Sequence, residues 1–292
     1  MCTIYPKISI VTPVFNQAQF IEETILSIIG QDYPNLEYII IDGGSTDGTV
    51  DIIKKYEPKV SYWVSEPDNG MYDALQKGFN HSTGEIMGWL NADDLFFNGC
   101  LSLIAKLFVQ EKKIRWVTGS IHVINSEGVI IGDSPSRKFN KYQFLTGDYQ
   151  WIAQESTLWR RSLWEETGSQ LDTRLKYAGD FELWLRFIQT DALYNLSLPI
   201  GKFRQREGQL SSNIKKYEDE VQSIYNNLHI CEADKEIIKS YQKKKHVARL
   251  INKTIIFNGN KIVQIEDFEK RYMAFPQRLA YSPSTDTFVV ED

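Results

Sequence analysis

Two adjacent carboxylates, Asp93 and Asp94, follow directly on the apolar run Ile86–Leu90. Like charges side by side at the end of a buried strand repel, and a cation between them relieves that cost. The pair therefore reads as a candidate site for a divalent ion, with a helix cap near Asn98 as the plainer alternative. Three other polar segments follow apolar runs in the same way. Thr12–Asn16 follows Ile8–Val11, Asp42–Thr49 (DGGSTDGT) follows Tyr38–Ile41, and Ser65–Gly70 (SEPDNG) follows Val60–Val64. Carboxylate, amide and hydroxyl groups in these places can bind a cation and the hydroxyls of a ribose, or can simply turn the chain and cap the next helix. A further carboxylate, Asp180, precedes the apolar stretch Phe181–Ile188, where a cap is the simplest role.

These segments need elements to hold them in one place. Between the short apolar runs lie helical spacings: Phe20, Ile21, Ile25, Ile28 and Ile29, then Val50–Tyr56, then Met71, Leu75, Gly78 and Phe79, then Leu101–Phe108. Strands alternating with helices predict a parallel sheet covered on both faces. In such sheets ligands bind beyond the carboxyl ends of the strands, which is where the polar segments fall. Residues 115–160 change character, with short strand-like runs and turn signals at Asn125–Gly128 and Ser134-Pro135. Phe181–Ile188 is apolar nearly all round and predicts a buried helix, and Leu193–Phe203 returns to strand.

From about residue 213 the pattern is charged and helical through Lys253, and Thr254–Phe257, Asn258-Gly259 and Lys261–Val263 predict a hairpin on an Asn-Gly turn. The expected organisation is one α/β domain over residues 1–212 and a mainly helical extension over 213–292. Lys235–Lys253 carries seven Lys or Arg against Glu236, with apolar residues interleaved. Such a helix can lie on an anionic membrane, or pack on the first domain or on a second copy to form a homodimer.

The 292 residues carry a net charge of −5, which offers no global basic field to nucleic acid. Cys2, Cys100 and Cys231 match no zinc spacing and read as free thiols of a reducing compartment. No secretory signal and no run approaching a membrane span is seen, so a cytoplasmic location is expected, free or peripheral at the inner face of the membrane.

Taken together, Thr12-Pro13-Val14-Phe15-Asn16, Asp42–Thr49, Asp68-Asn69-Gly70-Met71-Tyr72-Asp73-Ala74 and Gly84-Glu85 leading to Asn91-Ala92-Asp93-Asp94 resemble glycosyltransferase family 2, over about residues 6–212. The resemblance implies the GT-A fold, a Rossmann-like and mostly parallel central sheet with helices on both faces. It also implies an inverting transfer of sugar from a nucleotide-sugar donor, commonly a UDP-sugar, to an acceptor hydroxyl on a glycan or lipid-linked glycan, in surface polysaccharide assembly. On this reading Thr12, Pro13, Phe15 and Asn16 line the base and ribose, and Asp42 accepts a hydrogen bond from the base. Asp68, Asp73 and Asn91 complete the nucleotide-sugar site. Asp93, with Asp94 as second ligand or as the orienter of a bound water, holds Mg²⁺ or Mn²⁺ on the diphosphate. Asp180, in Tyr177–Trp184, stands where the family carries its catalytic carboxylate. Trp151, Gln154 and Glu155 match a stretch beside the acceptor.

Three departures weaken the expected metal and donor site. Asn91 replaces the usual first Asp of the metal motif, keeping an acceptor oxygen but losing a charge. Leu75-Gln76 stand where many members have Arg-Asn. Arg206 stands where many have a metal-binding His; it cannot ligate a cation but can bind diphosphate directly. Two rivals follow. A sugar-phosphate nucleotidyltransferase would need a Gly-rich basic loop after the first strand, which Thr12–Asn16 is not. A catalytically weak nucleotide-sugar-binding module is suggested by Asn91 and Arg206.

Overall fold

The structure, a computed structural model, describes residues 5–253 and 278–291. The first half is the expected alternation: β1 (Ile8–Val14), α1 (Ile21–Ile29), β2 (Leu36–Asp42), α2 (Thr49–Tyr56), β3 (Tyr62–Ser65), α3 (Met71–His81), β4 (Ile86–Trp89), β5 (Leu95–Phe96) and α4 (Cys100–Gln110). Then come β6 (Trp116–Ile124), β7 (Ile130–Ser134), α5 (Lys141–Leu145), β8 (Thr157–Arg160), α6 (Arg161–Glu166), α7 (Gly179–Thr190) and β9 (Tyr194–Arg204). The described chain ends in α8 (Ile214–Asn226), α9 (Glu232–Lys253), β10 (Arg278–Ser282) and β11 (Thr287–Glu291).

The strands form one sheet in the order β11-β10-β9-β6-β8-β4-β1-β2-β3, with β5 on β9 and β7 on β6. β3, β2, β1 and β4 are parallel, as are β6, β9 and β10, whereas β8 runs antiparallel between β4 and β6. The sheet is thus parallel across its first four strands and mixed beyond them. Every residue of β1 is buried, because successive side chains enter opposite cores. Ile8 and Ile10 pack with α1 and α4, and Val11 packs with α3 and α7. Gly78 of α3 allows that contact, since a Cβ there would fall 2.4 Å from Val11 Cγ1.

The extension is less separate than its charge pattern implied. Val221 of α8 and Ile238 of α9 share a core with Phe181 and Trp184 of α7. β10 and β11 form a strand hairpin that prolongs the sheet beyond β9, within a region expected to be mainly helical. The hairpin predicted over 254–263 lies outside the described residues, as do the side chains of 241 and 244–253 within the Lys235–Lys253 stretch read as membrane-facing. Among the described residues no helix is long and apolar enough to cross a membrane.

Candidate active site

The carboxyl ends of β1 and β2 are laced into a single edge. The Asn16 N–H donates to Ser45 Oγ at 2.7 Å, and the Thr46 N–H donates back to Asn16 Oδ1 at 2.9 Å. The N–H groups of Gln17 and Ala18 donate to Thr49 Oγ1 and Asp47 Oδ2. Asn16 adopts φ 50°, the left-handed conformation that Asn tolerates better than most residues.

Asp42 organises this edge from below. It is fully buried. Its Oδ2 accepts from the Gly44 and Ser45 N–H groups and from Ser65 Oγ at 2.6 Å, while Oδ1 accepts from Ser45 Oγ. These four donors, drawn from two loops, take up the acceptor capacity expected to meet a nucleotide base. Thr12 and Pro13 are likewise buried rather than lining a groove, and Thr12 Oγ1 is 3.2 Å from Tyr38 Oη. Phe15, by contrast, is 58% exposed and stands at the edge as a free aromatic face.

Asp68 lies over the same loop. Its Oδ1 accepts from the Gly70 N–H, and its Oδ2 sits where a Cβ on Gly43 would come within 2.6 Å. Burial raises its pKa from the ordinary range, against the Gly70 hydrogen bond, with Asp73 and Asp42 adding like charge. Asp73 points elsewhere: it accepts from the Asn69 N–H and braces the start of α3.

Beyond β4 the two adjacent carboxylates separate in role. Asp94 is buried, its Oδ1 accepting from the Arg204 N–H at 2.9 Å and its Oδ2 facing Asn91 Nδ2 at 3.4 Å. Burial, then the charges of Asp93 and Glu155, push its pKa well up. It supports the loop from beneath and is not aimed at the edge. Arg204, wholly buried, completes that support by binding the Asp93, Asn125 and Ser126 carbonyls and the Glu23 carboxylate. The helix-cap alternative for Asp93-Asp94 falls away, because α4 begins after Gly99, whose φ of 78° suits glycine.

Asp93 is the carboxylate left facing the edge, and its Oδ2 is held by Arg206 Nε at 2.8 Å. The guanidinium groups of Arg206 and Arg204 both lie over the Phe20 ring, at 5.2 and 5.0 Å. Asn91 Oδ1 is buried with no hydrogen-bond partner. Among the described residues no three His, Cys, Asp or Glu side chains enclose a metal. The orphaned Asn91 oxygen and the Asp93 carboxylate, two residues apart on one loop, nevertheless fit a cation that takes its other ligands from diphosphate and water.

The catalytic candidate comes from the far side of the sheet. Asp180 is the second residue of α7, with Ala178 in the cap position, so it is not the cap itself. Tyr72 Oη lies 3.4 Å from Asp180 Oδ1, 3.3 Å from its N–H donor and 3.1 Å from the Tyr177 carbonyl. Gly179 makes room for that ring, since a Cβ there would fall 2.7 Å from it. Burial raises the Asp180 pKa from 3.8 to about 6, even though backbone N–H groups and Tyr72 favour the anion. Glu155 is buried, where Asp180 is only partly so, and is raised to about 7, by burial and then by the charges of Asp180 and Asp93. Gln154 donates to the Trp89 carbonyl at 2.6 Å, and its Oε1 has no partner. Trp151 is half exposed, edge-on to Tyr149 and Tyr217.

Asp180 and Asp93, from two other segments, thus both act on the Glu155 carboxyl through their charge. Sequence reasoning missed Arg204, Tyr72 and Glu220. A charged residue at the end of an apolar strand was the available signal for Arg204, and Tyr72 lay inside a motif already singled out. Glu220, forty residues from Asp180 in a charged helix, offered none.

A mixed sheet with helices on both faces and carboxylate, amide and hydroxyl groups at the carboxyl ends of its first strands has the architecture of the GT-A fold. Residues 9–167 match glycosyl transferase family 2, and the chain belongs to that family. An uncharacterized glycosyltransferase of Rickettsia typhi is 26% identical over 76% of this chain and 71% of its own length. The putative teichuronic acid biosynthesis glycosyltransferase TuaG of Bacillus subtilis is 35% identical over 30% of this chain and 36% of its own. Among solved structures, S. aureus TarS 1–349 in complex with UDP-GlcNAc superposes with a TM-score of 0.63 at 18% identity, covering 91% of this chain and 80% of that one. The mannosyltransferase PcManGT of Pyrobaculum calidifontis, in complex with GDP-Man and Mn²⁺, gives 0.52 at 19% identity over 91% and 70%.

Proposed function

We propose that this family 2 glycosyltransferase moves a sugar from a UDP-sugar to an acceptor hydroxyl with inversion, on a glycan or lipid-linked glycan of a cell-surface polysaccharide, from the cytoplasmic side. The observation that carries the reading is Asp180 at the start of α7, braced by Tyr72, together with Asp93 beside Arg206 in the loop after β4. The TuaG relative supports the polysaccharide class, and the TarS and PcManGT complexes support a nucleotide-sugar donor.

Asp180 takes the acceptor proton as the hydroxyl attacks the anomeric carbon. A carboxyl titrating near 6 is a stronger base than an ordinary aspartate and is still ionised at neutral pH. Tyr72 holds it in place. Glu155, whose burial and like-charged neighbours favour the protonated form, can hydrogen-bond an acceptor hydroxyl as donor. Phe15 offers a stacking face to the base, and Asp68, over the loop after β2, is a carboxylate with a single hydrogen-bond donor. Arg206 keeps further N–H groups for the diphosphate while its Nε holds Asp93. A divalent cation, Mg²⁺ or Mn²⁺, held by Asp93 and Asn91 Oδ1, would neutralise charge on the departing diphosphate.

The test is UDP release from a panel of UDP-sugars with Mn²⁺ or EDTA, alongside UDP calorimetry. Binding and release with a named UDP-sugar support the reading. UDP binding with no release for any donor or acceptor tried supports a second one, a nucleotide-sugar-binding module, which the Arg206–Asp93 pair favours. Absence of any nucleotide binding would sink both.

A further inference from the structure

The short segment that leads into α7 is held from outside the family's matched region. Glu220, on α8, accepts three successive backbone N–H groups: Lys176 on Oε1 at 3.0 Å, and Tyr177 and Ala178 on Oε2 at 2.9 and 2.8 Å. Asp180 begins two residues later. These N–H groups belong to the approach and cap position of α7, where the positive end of the helix favours a carboxylate. An anion there is stabilising in itself, but one carboxylate spanning three consecutive donors also fixes the dihedral angles between them.

The rest of α8 reinforces the same place. Lys216 Nζ reaches Tyr177 Oη at 3.2 Å. Tyr217, partly buried, is acted on by the Asp180 charge and sets its ring 5.2 Å from that of Trp151. Val221 buries itself in the core that holds Phe181. One helix turn therefore touches the backbone before Asp180, the surroundings of its carboxylate and the exposed Trp151.

We propose that Glu220 is a positioning residue for transfer: by gathering the N–H groups of residues 176–178 it sets the backbone from which Asp180 presents its carboxylate to the acceptor. The proposal rests on the reading of Asp180 as base. The groups that face Asp180 are Tyr72 from α3, Glu155 from the segment before β8, and Tyr217 and Glu220 from α8. Removing the Glu220 charge alone therefore lowers the Asp180 titration, while removing its acceptor oxygens loosens the backbone.

The experiment compares Glu220→Ala, Glu220→Gln, Asp180→Asn and Glu220→Ala/Asp180→Asn in the full chain. It measures UDP release from UDP-GlcNAc, UDP-glucose and UDP-galactose with Mn²⁺, UDP affinity, and hydrogen exchange over residues 174–182. In Glu220→Ala, turnover should fall about 10- to 100-fold with donor KM and UDP affinity within twofold, and exchange at 176–178 should accelerate. Glu220→Gln keeps one acceptor oxygen but sets an amide N–H against a backbone donor, so it should recover part of the turnover and shift the acidic limb of the pH profile downward. In the Asp180→Asn background, Glu220→Ala should have no further effect on turnover. An impaired Asp180→Asn with fully active Glu220→Ala and Glu220→Gln, or with multiplicative losses in the double variant, would overturn the positioning role alone. A fully active Asp180→Asn would overturn the base assignment on which it rests. Should Glu220→Ala not fold, Glu220→Gln with full turnover and unchanged exchange at 176–178 still overturns the proposal.

Discussion

Arg206 Nε stands 2.8 Å from Asp93 Oδ2, so the carboxylate best placed for a cation already has a positive partner. Both side chains are mostly buried, and the pair is screened less than a surface one. A metal must therefore compete with a guanidinium for Asp93, or share it through the other oxygen. The expected outcome is that Arg206→Ala strengthens Mn²⁺ binding in the presence of UDP and weakens metal-free UDP binding by about tenfold, the loss of one charge-assisted contact. Asp93→Ala should remove the Mn²⁺-dependent part of UDP affinity and leave the fold intact. Calorimetry with Mn²⁺ and with EDTA reads both; an unchanged metal affinity in the two variants would exclude Asp93 from the cation site.

Asp42 should act on nucleotide binding through its loop. Its oxygens are taken by Gly44, Ser45 and Ser65. Asp42→Asn turns one of those oxygens into a donor facing other donors, and should weaken UDP binding by on the order of 1–3 kcal/mol while lowering the melting temperature. Ser65→Ala, which removes one donor from the same carboxylate, should reproduce a fraction of both effects. Weakened UDP binding in Asp42→Asn with an unchanged melting temperature and no effect of Ser65→Ala would instead show direct contact with the base.

The first four strands, their helices and the edge they form were legible because each apolar run was followed by polar residues of loop type. Periodicity locates such runs without knowledge of tertiary structure. What failed to show was pairing between distant segments. Asp93 and Asp94 look equivalent in sequence, and only the Arg204 N–H, from β9, makes one of them structural. Asp42 carries the motif's first carboxylate, and only Ser65, from the next strand, completes its saturation. The strands β8, β10 and β11 were hidden for a related reason. β8 has just four residues and runs against its neighbours, and the edge hairpin gains its place from β9 rather than from its own pattern.

Arg204 should be a stability residue rather than a catalytic one. It is wholly buried and ties Glu23, the Asp93 carbonyl and the 125–126 turn together. Truncation leaves the carbonyl acceptors without their donor, at about 1–3 kcal/mol for a buried group left unpaired, while the half-exposed Glu23 returns to water. Arg204→Met should therefore lower the urea midpoint strongly, while Arg206→Met, which frees a single carboxylate, should lower it less. Equal midpoints for the two variants would contradict this division.

Asp180 links activity and stability with opposite signs. Its folded-state pKa, raised from 3.8 to about 6, means the folded protein binds more protons than the unfolded chain between those values. Stability therefore falls as pH rises through that window, and the penalty of a buried charge is fully present above it. Transfer needs the ionised form, so kcat/KM should rise with pH along an acidic limb near 6. Asp180→Asn keeps the shape but cannot ionise. Transfer should fall by roughly 10²–10⁴, with UDP affinity near that of the wild type. The same variant should melt on the order of a few degrees higher than wild type at pH 7.5, because the desolvated charge is gone. At pH 4, where the wild-type carboxyl is protonated when folded, the gain should vanish. Melting curves at the two pH values, set beside UDP-release rates for each protein, read every part of this. A gain of equal size at both values would mean that packing, not charge, had changed, and a loss of stability with turnover preserved would return Asp180 to a structural role at the start of α7.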